Sequence, residues 1–419
     1  MTKEWFKVQK IIVLGLLAIS FVGFSSCTKD SSEPAVDNLP DISGFPIVGT
    51  NHTKFYSNTS EISEPGPNDP FYGQDATYNS GATPSYTDNG DGTITDNNTG
   101  LMWVKARGSK MTWDEAVAGA LENRTGGYDD WRMPTIQELY SLFLFTGKNG
   151  NNVYSTEGYV PFIDTTYFDF EYGSGIGDER VMECQDWSST EYVSTTQHNQ
   201  PTVFGVNFAD GRSKGYKKYL PPTWTELNDD LYVRYVRGNS EYGINNFQNN
   251  NDGTISDLAT ELMWSQEDSK EGLNWKDALA WVQEKNAETF LGHNDWRLPN
   301  IKELHSIVDY TRSPAATSSA AINTDYFKCS KIINEAGQED YPYYWSGTVL
   351  VTGGPNREAC YIPFGRAMAF MDGIWQDVHG AGSQKSDVMI GDPADYPRGH
   401  GPQGDAVRVY NYVRLVRDI

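Results

Sequence analysis

The chain has 419 residues, with 33 Lys and Arg against 56 Asp and Glu and a formal net charge of −23. That balance excludes a protein whose overall field attracts nucleic acid, because phosphate recognition needs a basic face, although a local basic patch remains open. With 38% hydrophobic residues, 25 Tyr and 12 Trp, the chain has ample material for cores, and its length suits two or three domains.

Lys3, Lys7 and Lys10 precede an uncharged stretch from Ile11 to Phe24 that ends in Ser25-Ser26-Cys27. A membrane-spanning helix needs about 20 apolar residues, so this shorter stretch reads as the core of a signal peptide. Small residues before a Cys resemble a bacterial lipoprotein signal, with Phe24 departing from the usual Leu. The resemblance implies removal of residues 1–26, lipid on Cys27, and a mature protein held extracytoplasmically at the outer membrane or cell surface without a spanning helix. A plain signal peptide cut nearby is the alternative. Residues 27–80 are rich in Ser, Asn, Asp, Pro and Gly, and are expected to form a flexible, lipid-anchored tether with room for a short ordered piece around Phe71 and Tyr72.

Beyond the tether the chain repeats itself. Asp91-Gly92-Thr93-Ile94 recurs as Asp252-Gly253-Thr254-Ile255, and Leu101-Met102-Trp103 as Leu262-Met263-Trp264, both 161 residues on. Asp130-Trp131-Arg132-Met133-Pro134 returns as Asp295-Trp296-Arg297-Leu298-Pro299, Trp187-Ser188-Ser189-Thr190 as Trp345-Ser346-Gly347-Thr348, and Val233-Arg234-Tyr235-Val236-Arg237 as Val413-Arg414-Leu415-Val416-Arg417. Units of this size are a tandem duplication rather than a solenoid, giving domains at 81–239 and 245–419.

Within each unit the elements follow in a fixed order. The Asp-Gly turns at 91–92 and 252–253 predict hairpins, since Gly and Asn tolerate positive φ. Thr112 with Glu115 is a capping box opening a helix, and Asn274 opens its counterpart; Thr135 with Glu138 and Asn300 with Glu303 open a second helix in each copy. Short strands follow, including 203–208, turning at Asp210-Gly211, and the closing 232–237. The plan is α+β.

These motifs together resemble the C-terminal domain of the Legionella collagen-like adhesin, over residues 86–238 and 246–418. The resemblance implies two tandem C-type-lectin-like domains, each with two helices packed on a twisted antiparallel sheet. It also implies binding of sulfated glycosaminoglycans and attachment. No collagen-like Gly-x-y tract is present, so the adhesin's trimeric stalk is not implied.

Catalytic and metal signatures are missing. The six His residues lack zinc spacing, and there is no nucleophile elbow or phosphate-binding Gly-rich loop. The Asp-Gly turns lack the closing Glu of a calcium loop, so a plain hairpin is favoured. No cofactor and no metal ligand set is therefore expected, and an enzyme has no supporting motif. A clustered set of buried titratable groups is what would revive one. Cys329 and Cys360 fall in the second repeat and are candidates for a disulfide, leaving Cys184 free or partnered elsewhere.

The repeat also separates scaffold from binding candidates. Eight of the twelve Trp residues match between copies, and these, with Arg132 and Arg297, read as fold-defining. The copies differ most before the final strand, where the second is 26 residues longer between Gly365-Arg366 and Val413. In the first copy this region begins with Arg212, Lys214, Tyr216, Lys217 and Lys218, followed by Trp224. Cations alternating with aromatics suit an anionic glycan; a solvated strand edge guarded by Lys is the alternative. Trp375 stands in the second copy's insertion. The sequence thus predicts a non-catalytic surface adhesion protein whose partner is a glycan or extracellular polysaccharide, with a structural envelope component that binds a protein partner as the alternative.

Overall fold

The structure, a computed structural model, describes residues 39–40, 42–219, 230–355 and 357–419. The signal segment, Cys27 and Trp224 lie outside the described residues.

Residues 42–80 do not form the flexible tether expected of them. Phe55–Tyr56 (β1) pairs antiparallel with Glu61–Ile62 (β2), and Asp75–Tyr78 (α1) forms one helical turn. The composition is polar, yet Phe45, Ile47, Val48, Tyr56 and Phe71 are all buried. Burying one Phe, Ile or Val side chain is worth about 1.5–3 kcal/mol, so a few such anchors outweigh a loop-like average. The polar residues close turns between the anchors: Ser57 N–H donates to the Ser60 carbonyl at 2.9 Å, and Gly66 N–H to Asp69 Oδ2 at 2.8 Å.

The first repeat runs Tyr86–Asp88 (β3), Thr93–Asp96 (β4), Leu101–Val104 (β5), Trp113–Glu122 (α2), Ile136–Ser141 (α3), Asp186–Thr196 (β6), Gln200–Asn207 (β7), Arg212–Lys217 (β8) and Val236–Gly238 (β9). Its strands form two antiparallel sheets, ordered β3-β4-β5-β9 and β6-β7-β8. The second repeat runs Phe247–Asn249 (β10), Thr254–Asp257 (β11), Leu262–Ser265 (β12), Trp275–Ala287 (α4) and Ile301–Ser306 (α5). After the Ile332–Ile333 (β13) and Glu339–Asp340 (β14) hairpin come Tyr343–Leu350 (β15), Glu358–Pro363 (β16), Met368–Met371 (β17), Ile374–Asp377 (β18), Lys385–Val388 (β19) and Val416–Asp418 (β20). Its sheets are β10-β11-β12-β20 and β15-β16-β19, with β17 and β18 as a separate hairpin. The chain is thus a mixed α and β protein with few helices and several small antiparallel sheets. In each copy the last strand returns beside the third, pairing Trp103 with Val236 and Trp264 with Val416.

The repeated motifs are repeated bonds. Asp91 and Asp252 each accept from the backbone and hydroxyl of the Thr two residues on, which closes the hairpin turn. The indole N–H groups of Trp187 and Trp345 donate to the carbonyls of Met111 and Leu273, and those of Trp113 and Trp275 to the carbonyls of Ser188 and Ser346. Thr190 and Thr348 accept from the first backbone N–H of α3 and α5. The buried guanidiniums of Arg234 and Arg414 hold the carbonyls that follow β5 and close β12. Arg132 meets Glu138 through two contacts of 2.6 and 2.5 Å, and Arg297 meets Glu303 at 2.5 Å; each Glu also accepts from the backbone N–H at the start of its helix.

The repeats meet across a continuous core. One hydrophobic cluster contains Trp103, Ile136 and Phe204 of the first copy together with Trp264, Leu304 and Ile362 of the second. At its centre α3 faces α5, and Tyr140 stacks on His305 with centroids 3.9 Å apart and planes at 4°. Positions 140 and 305 are equivalent in the repeat, so the contact resembles the self-complementary centre of a two-fold dimer. The buried Lys302 ammonium donates to the carbonyls of Ser141 at 2.8 Å and Gly49 at 3.2 Å, tying the N-terminal segment into the same seam. Asp75, also buried, accepts from Thr50 and from Thr348, at 2.7 and 2.6 Å.

Cys329 and Cys360 are free thiols rather than the expected disulfide. Each is engaged elsewhere: Cys360 lies inside β16 with the Gln384 amide at 3.6 Å, whereas Cys329 receives the Arg414 guanidinium at 3.5 Å. Burial pushes the Cys184 thiol up to about 12 and the Cys360 thiol well above its ordinary value. In a chain trimmed after Cys27, a thiol reagent at mildly alkaline pH should leave Cys184 and Cys360 unmodified in the folded protein and label all three cysteines once it is unfolded. An oxidised pair in the folded protein, seen by mass, would contradict this.

The equivalent ion pairs should differ in weight. Arg297 and Glu303 side chains are 5% and 1% exposed, whereas Arg132 is 35% exposed. Glu303→Ala should cost more than Glu138→Ala in urea unfolding, up to about 3–5 kcal/mol, because buried Arg297 would be left with the exposed Asp418 carboxylate at 2.5 Å, whereas Arg132 can turn to water.

Burial lowers the His305 imidazole to about 3, while its Nε2 lies 2.8 Å from the Tyr310 hydroxyl. An unfolded chain protonates this group near pH 6.5, so below that value the unfolded state binds the extra proton and stability falls with pH. His305→Phe keeps an aromatic against Tyr140 and removes the linkage. The unfolding free energy of the natural chain minus that of the variant should drop by about 1.4 kcal/mol per pH unit below about pH 6. A pH-independent difference would rule the linkage out.

Candidate functional site

Strand β8, the basic strand of the first repeat, lies along the seam rather than on an open edge. Its preceding turn closes tightly on the second copy: Gly211 has φ +70°, and a side-chain carbon there would sit 2.6 Å from Phe162 and 2.8 Å from Leu350. Ser213 bridges to Gln384, and Gly215 N–H donates to the His379 carbonyl at 2.9 Å. The small residues alternating with the cations let the second copy's backbone approach.

Opposite β8 stands the second copy's insertion, which holds β19 and the loop returning to Val413. Between the two is a cleft of about 530 Å³, lined by Arg180, Asp210, Arg212 and Lys214 from the first repeat and by Glu358, Lys385, Asp387 and Asp405 from the second. Tyr361 lines it too, with Tyr396 and His400 on the insertion loop. A side chamber of about 190 Å³ shares Arg180, Gln185, Lys214 and Gln403 with the cleft and adds Tyr216, Lys217 and His379. The larger volume falls in the usual range of small-ligand sites.

The four cations of the cleft all have carboxylate partners. Arg212 meets Glu358 at 3.1 Å and Ser386 at 2.8 Å, Lys214 lies 3.9 Å from Asp210, Arg180 meets Glu183 at 2.7 Å, and Lys385 makes a very short contact with Asp405. Lys218 leaves this group: it pairs with Glu191 at 3.0 Å and sits 3.8 Å above the Trp113 ring. The sequence-predicted basic patch is therefore divided. Arg212, Lys214, Tyr216 and Lys217 reach the cleft or its chamber, and Lys218 covers a Trp.

Asp405 is the electrostatic centre. It accepts from His379 Nε2 at 3.0 Å as well as from Lys385. Burial opposes its charge, but Lys385, His379 and Lys214 together outweigh burial and hold the carboxyl well below the usual range. His379 is lowered to about 4, first by burial and then by Lys385, and is neutral at physiological pH. Burial raises the Tyr216 phenol well above its ordinary value. The Tyr216 hydroxyl and His379 Nδ1 are both buried without a hydrogen-bond partner among the described residues.

Trp375 is not brought to this cleft. It packs edge-on against Phe370, with centroids 5.4 Å apart, and lines a separate groove of about 430 Å³ beside the β6–β7 turn at Gln197, His198 and Asn199. Lys385, Asp405 and Gln403 escaped the sequence reading, although their place in an insertion unique to one copy, opposite the basic strand, was the available signal. The seam also supplies the cluster of buried titratable groups whose absence would have argued against catalysis.

No helix among the described residues is long and apolar enough to cross a membrane. Searches of curated proteins and of solved structures found no match. The family model of the Lcl C-terminal domain matches residues 92–237 and 253–377, each running from the Asp-Gly turn into the later strands. The second match stops before β19, so Lys385, Gln403 and Asp405 lie beyond it. With more than half of its residues matched in two successive segments, the chain belongs to the Lcl C-terminal domain family and carries two tandem copies of that domain.

Proposed function

We propose that the protein is a non-catalytic cell-surface adhesion lipoprotein that recognises glycans in the cleft between its two domains. Family membership supports an adhesin-like role at the cell surface. The carrying observation is the cleft: a concave polar site with converging carboxylates, cations and hydroxyls, and with Tyr361, Tyr396 and His400 for a sugar face, built jointly by both copies. The lipid anchor on Cys27, the outer-membrane or surface location and the C-type-lectin-like character of each domain belong to this reading. It needs no cofactor.

A structural envelope role is favoured by a different observation. Helix α2 exposes Val117 and Leu121, 40% and 74% accessible, whereas Leu279, the counterpart of Val117, is buried beneath the N-terminal segment at Phe71 and Gly73. An uncovered apolar strip of this kind suits a protein partner.

The mature chain should be retained on a glycan array, and Tyr396→Ala with His400→Ala should weaken retention about tenfold, a loss of roughly 1.4 kcal/mol. Cys27→Ser should abolish fatty-acid labelling and release the protein from the membrane fraction. No glycan retention, together with recovery of a stoichiometric protein partner, would favour the envelope role instead.

A further inference from the structure

We infer that the outer face of α2 docks an extended segment of another protein, one that carries an aromatic side chain beside a Pro and a Lys or Arg close by, much as residues 67–73 lie on α4. The inference rests on the protein-partner reading above, whose chemistry it names, and draws nothing from the glycan reading.

The second copy shows what such a face holds. Residues 67–72 line a common hollow with Lys276, Ala280, Gln283 and Glu284 of α4. Phe71 packs on Trp275 with ring centroids 6.1 Å apart, and both side chains are buried. Gly73, at φ +87°, brings the chain so close that a side-chain carbon there would sit 3.0 Å from Gln283 Nε2 and 3.9 Å from Leu279 Cδ2. This arm precedes the first copy and lies on the second. The second copy is preceded only by residues 239–246, which run directly from β9 to β10, so no equivalent arm is left for α2.

The face on α2 nonetheless keeps the features of a seat. Trp113, Val117 and Leu121 follow one another at intervals of four, in the places of Trp275, Leu279 and Gln283, and so share one side of the helix. At the last of these the uncovered copy has Leu, 74% exposed, where the covered copy has Gln. Water gives no reason for the uncovered face to be the more apolar one, and a contact does.

Charge selects the occupant. Asp114 and Glu122 flank the strip, both exposed, and neither makes an ion pair among the described residues. The arm's Asp69 shares its hollow with Lys276, and the residue in that place on α2 is Asp114. This chain's own arm laid on α2 would set carboxylate against carboxylate, so a second copy is a poor donor and a segment with a cation there a good one. The nearby cations are engaged: Arg124 donates to the carbonyls of Leu121 and Asn123, and Lys218 pairs with Glu191 above Trp113.

The test uses two synthetic peptides spanning residues 64–78, one natural in sequence and one with Asp69→Lys, titrated by fluorescence anisotropy against the chain lacking residues 1–27. The Asp69→Lys peptide should bind about two- to fivefold more tightly at low salt, with the preference fading near about 1 M NaCl. Leu121→Ser should weaken its binding about tenfold or more while the unfolding transition stays in place. Ile333→Ser, at a residue 69% exposed in the β13–β14 hairpin, should leave binding unchanged. Asp114→Lys should reverse the preference between the peptides. Binding that survives Leu121→Ser, or a preference that Asp114→Lys does not alter, would overturn the inference. Failure of both peptides, as when residues 220–229 of the chain itself cover the strip, would do so too. A dimer that Leu121→Ser dissolves would make a second copy the occupant instead. Recovery of a protein partner on the Leu121→Ser chain would keep the envelope role and place that partner elsewhere, and none of these results touches the glycan reading.

Discussion

The Lys302 ammonium is buried where three stretches of chain converge, and among the described residues it donates to two backbone carbonyls: that of Ser141, at the end of α3, and that of Gly49, in the N-terminal segment. Burial lowers it to about 7 against the pull of the Asp96 and Asp75 carboxylates, so its charge depends on these acceptors and neighbours staying close. A charge buried this way is tolerated only if its acceptors stay put, and the neighbouring contacts see to that. Tyr140 and His305 stack face to face beside it, and Asp75 ties the same segment to Thr348. The two copies, their shared core and the N-terminal segment are consequently interdependent.

How legible was this in the sequence? The duplicated residues were, because a duplicated bond leaves a duplicated pair of letters: the caps at Thr112, Thr135 and Asn300, the Trp residues and the scaffold role of Arg132 and Arg297 could be read from their spacing, though not the Glu partners of the two Arg residues. Contacts made once left no such trace. Phe45, Tyr56 and Phe71 sit in a stretch whose average is polar, and nothing in one sequence says that a few anchors suffice. The pairing of Cys329 with Cys360 was an inference from proximity in the chain, which neither thiol's surroundings respect. The basic run at Arg212 to Lys218 was visible, but the carboxylates that answer it arrive from residues as distant as Glu358, and only the fold brings them there.

Duplication explains where novelty could enter. A two-fold arrangement presents every surface twice, so an insertion in one copy breaks the symmetry without disturbing the centre. Gln137 and Lys302 occupy equivalent positions, as do Val117 and Leu279, and in each pair one member has taken on a contact that the other lacks. The 26 extra residues of the second copy before Val413 are the largest such departure, and they furnish part of one wall of the cleft while the basic strand of the first copy furnishes the other.

The N-terminal segment has a mechanical corollary. For a chain held at its N-terminal end and pulled through a ligand at the seam, tension meets the Phe45 N–H to Ala259 carbonyl bond, the parallel Val48–Ala82 bridge, the Asp75 contacts and the buried Phe71 in turn. Those contacts lie in series with the load, and the segment grips the second copy although it is joined covalently to the first. Traction is thereby delivered to both halves at once and draws on the core they share, instead of peeling one copy from the other.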